Sequence, residues 1–144
     1  MDLSRYTIAF DFDGTITTES NYPEVASLRT GIKECIDSLY DAGAEIIIWT
    51  CRHPHGDKET NLAYQMMVDF LKKHRIKYTD INKNKVPLAP NPGPKVYADL
   101  YVDDKILGWN PNITGAELLK QIIHHFKTQT MSVRVQYVDY VDEN

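Results

Sequence analysis

The chain has 144 residues, room for one domain and little for a second. With 42 % hydrophobic and 25 % charged residues it has the make-up of a globular domain, which excludes a disordered or collagen-like chain. Sixteen Lys and Arg against twenty Asp and Glu leave a formal charge of −4, so no global basic field holds nucleic acid or an anionic membrane, and an anionic substrate must be caught locally.

No apolar run approaches the roughly 20 residues of a membrane span, and Met1 to Arg5 leads directly into a strand-like segment without a signal-peptide core. A cytoplasmic protein is the expectation. Cys35 and Cys51 lack CxxC spacing and are expected as two reduced thiols.

The elements follow in chain order. Tyr6 to Phe10 reads as a buried strand that stops at Asp11-Phe12-Asp13-Gly14-Thr15. Thr30 is placed to cap a helix carrying Ile32, Ile36 and Leu39, which Gly43 ends. Glu45 to Thr50 is a second buried strand, and Asp57 can cap a second helix that runs to about His74. Ile76 to Ile81 reads as a third strand. Residues 82–95 hold four prolines and a glycine and are expected as a loop, a mobile edge of the site. Val96 to Val102 is the fourth strand, followed by a helix from about Thr114 to Lys127. Met131, Val133, Val135 and Tyr137 then alternate with polar residues as in a half-exposed strand. This order predicts an α/β fold: a three-layer α/β/α, Rossmann-like parallel sheet with right-handed crossovers.

In such sheets the ligand crevice lies beyond the carboxyl ends of the strands. Asp11 and Asp13 end the first strand, Thr50 and Cys51 the second, and Asp103 and Asp104 the fourth. With strands about 4.8 Å apart, four carboxylates meet in one small site. Such like charges resist joint ionisation, and a bound cation relieves them. Hard oxygen ligands without a His or Cys set favour Mg²⁺, which also accepts a substrate phosphate oxygen. At the strand tip Asp11 can attack phosphorus as a nucleophile and form an aspartyl-phosphate. Asp13 can protonate the leaving oxygen and then deprotonate the hydrolytic water. Gly14 permits a sharp turn and leaves backbone N–H groups near the phosphate.

DFDGT after a buried strand resembles the first motif of the haloacid dehalogenase (HAD) superfamily of phosphotransferases, IIIWT with Thr50 its second, and YVDD with Asp103 and Asp104 its fourth. The three occur in the family's order and span residues 6–104. The resemblance implies a HAD-like fold, with Asp11 as nucleophile and Asp13 as general acid/base. It implies that the Thr50 hydroxyl bonds the transferring phosphoryl group, and that Asp103 and Asp104 hold Mg²⁺ with Asp11 and the Asp13 carbonyl. An Asp at the position of Asp13 goes with phosphatase rather than dehalogenase activity. The expected phosphate-binding set is thus Gly14, Thr50 and Cys51 with a lysine of the third motif.

That lysine has three candidates. Lys83 and Lys85 follow the third strand on the catalytic side. Lys95 opens KVYADLYVDD, which resembles small HAD-like proteins of bacteria and phages in which a Lys precedes such a run. Eight extended residues would set Lys95 about 26 Å from Asp103 unless the chain kinks near Asp99. Arg52, His53 and His55 either touch substrate or face water. Tyr22 and Trp109 are placed to stack on a base or sugar, and Trp49 to pack in the core.

Only 34 residues separate DFDGT from Thr50, so no cap domain fits, and residues 16–30 are expected to form a short flap on a single domain. An uncapped site needs a covering substrate or a neighbouring subunit of a homo-oligomer. The expected enzyme is a capless Mg²⁺-dependent phosphomonoesterase for a nucleotide or other small phosphate ester. Lys72, Lys73, Arg75 and Lys77 keep a polynucleotide-end phosphatase in play. A receiver-like or inactive HAD-like regulatory module is the alternative of another class.

Overall fold

The computed structural model describes residues 1–87 and 89–142, and for 130–142 the helical backbone alone. Strands β1 (Thr7–Asp11), β2 (Glu45–Trp49), β3 (Asp80–Ile81) and β4 (Leu100–Val102) form one all-parallel sheet in the order β3-β2-β1-β4. Parallel neighbours require crossovers, which α1 (Ile32–Asp41) and α2 (Lys58–Lys73) supply as the chain steps from β1 to β2 to β3. The chain then returns past β1 to lay down β4, so the strand order reverses beside β1. A crevice opens at such a reversal in doubly wound sheets.

Period-two alternation sorts the strand residues onto two faces. Ile8, Phe10, Ile46, Ile48 and Val102 share one core with apolar residues of α1, α2 and α3 (Gly115–Asp142). The opposite face carries Ala9 and Ile47 under Val96, with Trp49, Ala98 and Tyr101 beside them. The α/β class and the all-parallel sheet match expectation. The second covering layer differs: residues packed there come from the segment 96–101 rather than from a helix, because the prolines of 82–95 remove donors and fix φ.

Several boundaries move for physical reasons. The first helix begins after Gly31, not after a capping Thr30; Gly31 has φ 78° and no side chain caps the helix. A close approach dictates this, since a Cβ on Gly115 would lie 1.9 Å from the Gly31 carbonyl oxygen, and Gly115 N–H donates to Thr30 O at 2.8 Å. Asp57 does cap α2, accepting from Thr60 N–H at 2.8 Å. The fourth strand starts at Leu100 because Asp99 turns its carboxylate back to accept from Thr7 N–H at 2.8 Å, while its own N–H donates to Thr7 O. The third strand shrinks to two residues. Finally, the expected C-terminal strand is helix: α3 runs through to Asp142, as no Gly or Pro interrupts residues 116–142.

No helix among the described residues is long and apolar enough to cross a membrane. Cys35 is buried and its thiol is pushed up to about 12 by burial, whereas Cys51 is exposed; both are free thiols.

Candidate functional site

Phe10 and Val102 are register partners, so the next residues, Asp11 and Asp103, leave β1 and β4 side by side. With Asp104 they form a cluster whose carboxylate oxygens lie within 4.8 Å of one another. The Thr15 hydroxyl knits the group: it lies 3.3 Å from Asp11 Oδ2 and from Asp104 Oδ1, and accepts from Asp104 N–H at 2.9 Å. Burial, the hydrogen bond with Asp104 and the charges of Asp103 and Asp104 push the Asp11 carboxyl up to about 8, against a smaller downward pull from Thr15. A divalent cation among three hard oxygens would relieve that crowding.

Gly14 is built into this cluster. Its φ of 86° suits glycine, and a Cβ there would sit 2.3 Å from Asp104 Oδ2. The Gly14 N–H expected near a phosphate instead donates to Thr17 Oγ1 at 3.0 Å.

The Asp13 side chain stands outside the cluster. Both its oxygens accept from Arg52, Nε to Oδ2 and Nη2 to Oδ1, each at 2.9 Å. Arg52, expected to touch substrate or face water, is 1 % exposed. Its Nη1 donates to Pro23 O and Ala63 O and its Nη2 to Glu24 O, at 2.7–2.8 Å. All five guanidinium donors are thereby used.

Thr50 follows β2, with its N–H and carbonyl both bonded to the Asn82 side chain at 2.9 Å. Its hydroxyl accepts from Arg52 N–H at 3.1 Å, which fixes the turn that aims Arg52 inward. Cys51 lies exposed between them. His53 and His55 are also exposed, on the rim of a groove of about 540 Å³ shared with Tyr64, Tyr78 and Lys83.

The three lysines part company. Lys85 N–H bonds Glu45 Oε1 at 3.2 Å, at the start of β2 and hence the opposite end of the sheet from Thr50. Lys83 is exposed and lies 3.6 Å from Asp80. Lys95 Nζ stands 4.8 Å from the centre of the Tyr101 ring. Tyr101 shares its face with Asp103, and its register partner Ala9 shares that face with Asp11. The break at Asp99 thus folds Lys95 back over the upper half of the sheet, well short of an extended-strand separation. Lys83 and Lys95 line one cavity of about 240 Å³. The loop between them is anchored at its base, where the Asn84 side chain bonds both the N–H and the carbonyl of Tyr97.

One structural residue had no sequence signal. Arg29, 3 % exposed, donates to the carbonyls of Gly14, Thr15 and Thr17 and of Pro111 and Ile113, tying the Gly14 turn to the loop before α3. The rings expected to stack on substrate lie over arginines: Trp109 over Arg29 at 5.4 Å, Tyr22 over Arg52 at 5.1 Å. The basic residues at 72–77 sit at the C-terminal end of α2, across the sheet from the carboxylates, and Lys77 is paired with Asp41 at 2.7 Å.

No protein-family model and no curated protein matches the chain. A solved structure, described as that of a conserved protein from Bacteroides thetaiotaomicron, is similar to it with a TM-score of 0.68 and 23 % identity. The match covers 83 % of this chain and 91 % of the other, and shows a shared fold.

Proposed function

We propose that the protein is a capless, Mg²⁺-dependent phosphomonoesterase of the HAD type. The observation that carries this reading is the meeting of Asp11, Asp103 and Asp104 at the carboxyl ends of two adjacent parallel strands. The ordered DFDGT, IIIWT and YVDD motifs support it. The donor set fits the ion: three hard oxygens within 4.8 Å, with a glycine where a side chain would displace Asp104. When bound, Mg²⁺ neutralises the crowded carboxylates and orients a phosphate oxygen.

The chain's own groups then divide the reaction. An Asp11 carboxylate oxygen attacks phosphorus, the ester P–O bond breaks, and the leaving oxygen takes a proton from Asp13. Water next attacks the aspartyl-phosphate, gives a proton to Asp13 and releases inorganic phosphate, which restores the Asp11 carboxylate. Thr50 donates its hydroxyl to the phosphoryl group. Lys95 is the preferred charge partner, because its perch over Tyr101 lies on the face that carries Asp11 and Asp103. A small ester such as a nucleotide is favoured over an extended polynucleotide, since the basic run at 72–77 faces the wrong end of the sheet.

Hydrolysis of p-nitrophenyl phosphate, 5′- and 3′-nucleotides, sugar phosphates and phosphorylated DNA ends, with Mg²⁺ and with EDTA, tests the reading. Activity is expected on at least one small ester and is expected to vanish with EDTA. Activity unchanged by chelation, or retained in Asp11→Asn, would overturn the mechanism.

A further inference from the structure

A general acid/base must be held at a set distance and angle from the oxygen it serves, yet Asp13 lies past the end of β1, just before the Gly14 turn. Uncapped sites also need something that excludes water from the reacting atoms. One side chain meets both needs. The Arg52 guanidinium forks onto both oxygens of Asp13, and its remaining donors reach two flap carbonyls, Pro23 and Glu24, and one carbonyl of α2, Ala63. Its central carbon also lies 5.6 Å from the centre of the Phe12 ring and 5.1 Å from that of Tyr22. The α2 contact is a fixed point, since Ala63 is buried in a 16-residue helix. The flap contact falls on residues 18–27, an excursion from the sheet closed by the Thr17–Leu28 bridge.

We propose that Arg52 is the positioning residue for Asp13, setting the direction of its carboxylate and coupling that direction to the flap. This rests on the phosphatase reading above. With every guanidinium donor engaged inside the protein, Arg52 does not bind the phosphate; it acts through Asp13. A bidentate fork uses one lone pair on each carboxylate oxygen and leaves another to carry the proton that Asp13 gives the leaving oxygen and takes back from water. A lysine cannot reproduce this, because an ammonium offers a point charge without the planar pair of donors.

The test is Arg52→Lys, with Tyr22→Ala as a second variant at an exposed ring, assayed with Mg²⁺ on phenyl phosphate and p-nitrophenyl phosphate. Phenolate leaves poorly and needs a well-placed proton donor, whereas p-nitrophenolate does not. Arg52→Lys is expected to lower kcat/KM, which reports phosphoryl transfer to Asp11 and not the later hydrolysis common to both esters, about tenfold more on phenyl phosphate than on p-nitrophenyl phosphate. Tyr22→Ala is expected to shift the same ratio in the same direction by a smaller factor, and both variants to raise amide hydrogen exchange across residues 18–27. Equal losses of kcat/KM on the two esters, or an unchanged flap, would overturn the proposal while the phosphatase reading stands. A wild-type protein inert toward both aryl esters and toward the nucleotides and sugar phosphates of the wider panel would overturn the two together.

Discussion

Gly14 and Asp104 are in contact so close that a single added carbon, the Cβ of an alanine, would lie 2.3 Å from the Asp104 carboxylate. Gly14→Ala must therefore either push Asp104 away from Asp11 or shift the turn, and it also places a side chain at φ 86°. The expected result is a folded protein with Mg²⁺ affinity lowered by about tenfold or more, measured by calorimetric titration. Wild-type affinity in the variant would contradict the assignment of Asp104 to the ion.

Asp11→Asn is expected to cut phosphatase turnover by about a thousandfold or more, because an amide neither attacks phosphorus nor carries the required charge. The same change removes one of three crowded carboxylates. In EDTA at pH 8 the variant is therefore expected to melt above the wild type, losing function while gaining stability.

The pH dependence of stability follows from the same group. Asp11 holds its proton up to about pH 8 in the folded chain, against an ordinary value of 3.8. Between these limits the native state binds more protons than the unfolded one, so this contribution to stability is full below about pH 4 and is lost as pH rises toward 8. In EDTA the wild-type melting temperature is expected to fall across that window more than that of Asp11→Asn. Saturating Mg²⁺ is expected to flatten the difference, because the ion favours the ionised carboxylate. Identical slopes for the two proteins would contradict this account of Asp11.

Arg29 holds the Gly14 turn, and with it the Thr15 and Asp104 side of the cluster, in place. Its removal as Arg29→Met leaves carbonyls of Gly14, Thr15, Thr17, Pro111 and Ile113 without their donor. At about 1–3 kcal/mol for each group left unsatisfied and buried, a loss of several kcal/mol is expected in urea unfolding. The loss should be larger with Mg²⁺, because the displaced turn also weakens the ion's grip on the native state.

Much of this was legible in the chain itself. Apolar runs ending in Asp or Thr marked β1 and β2, YVDD marked the end of β4, and the parallel order brought Asp11 level with Asp103 as the motif order implied. Illegible parts depended on contacts distant in sequence. Nothing near Gly31 announces that Gly115 will rest on it, and nothing near Asp99 announces that its carboxylate will replace a ladder bond to Thr7. Arg52 was visible beside Thr50, but its inward direction depends on carbonyls from the flap and from α2. The alternation at residues 131–137 misled because period-two hydrophobicity cannot stop a helix that meets no breaker.

The clasp between Asn84 and Tyr97 has an evolutionary reading. By pairing one amide side chain with both backbone groups of a residue thirteen positions away, it closes the crossover between β3 and β4 at its base. Closing a flexible loop twice as long costs only about 0.6 kcal/mol more. With its ends fixed, the segment between can lengthen or acquire its own structure while the sheet beneath keeps its register, so the proline-rich crossover is the place where this compact scaffold can grow.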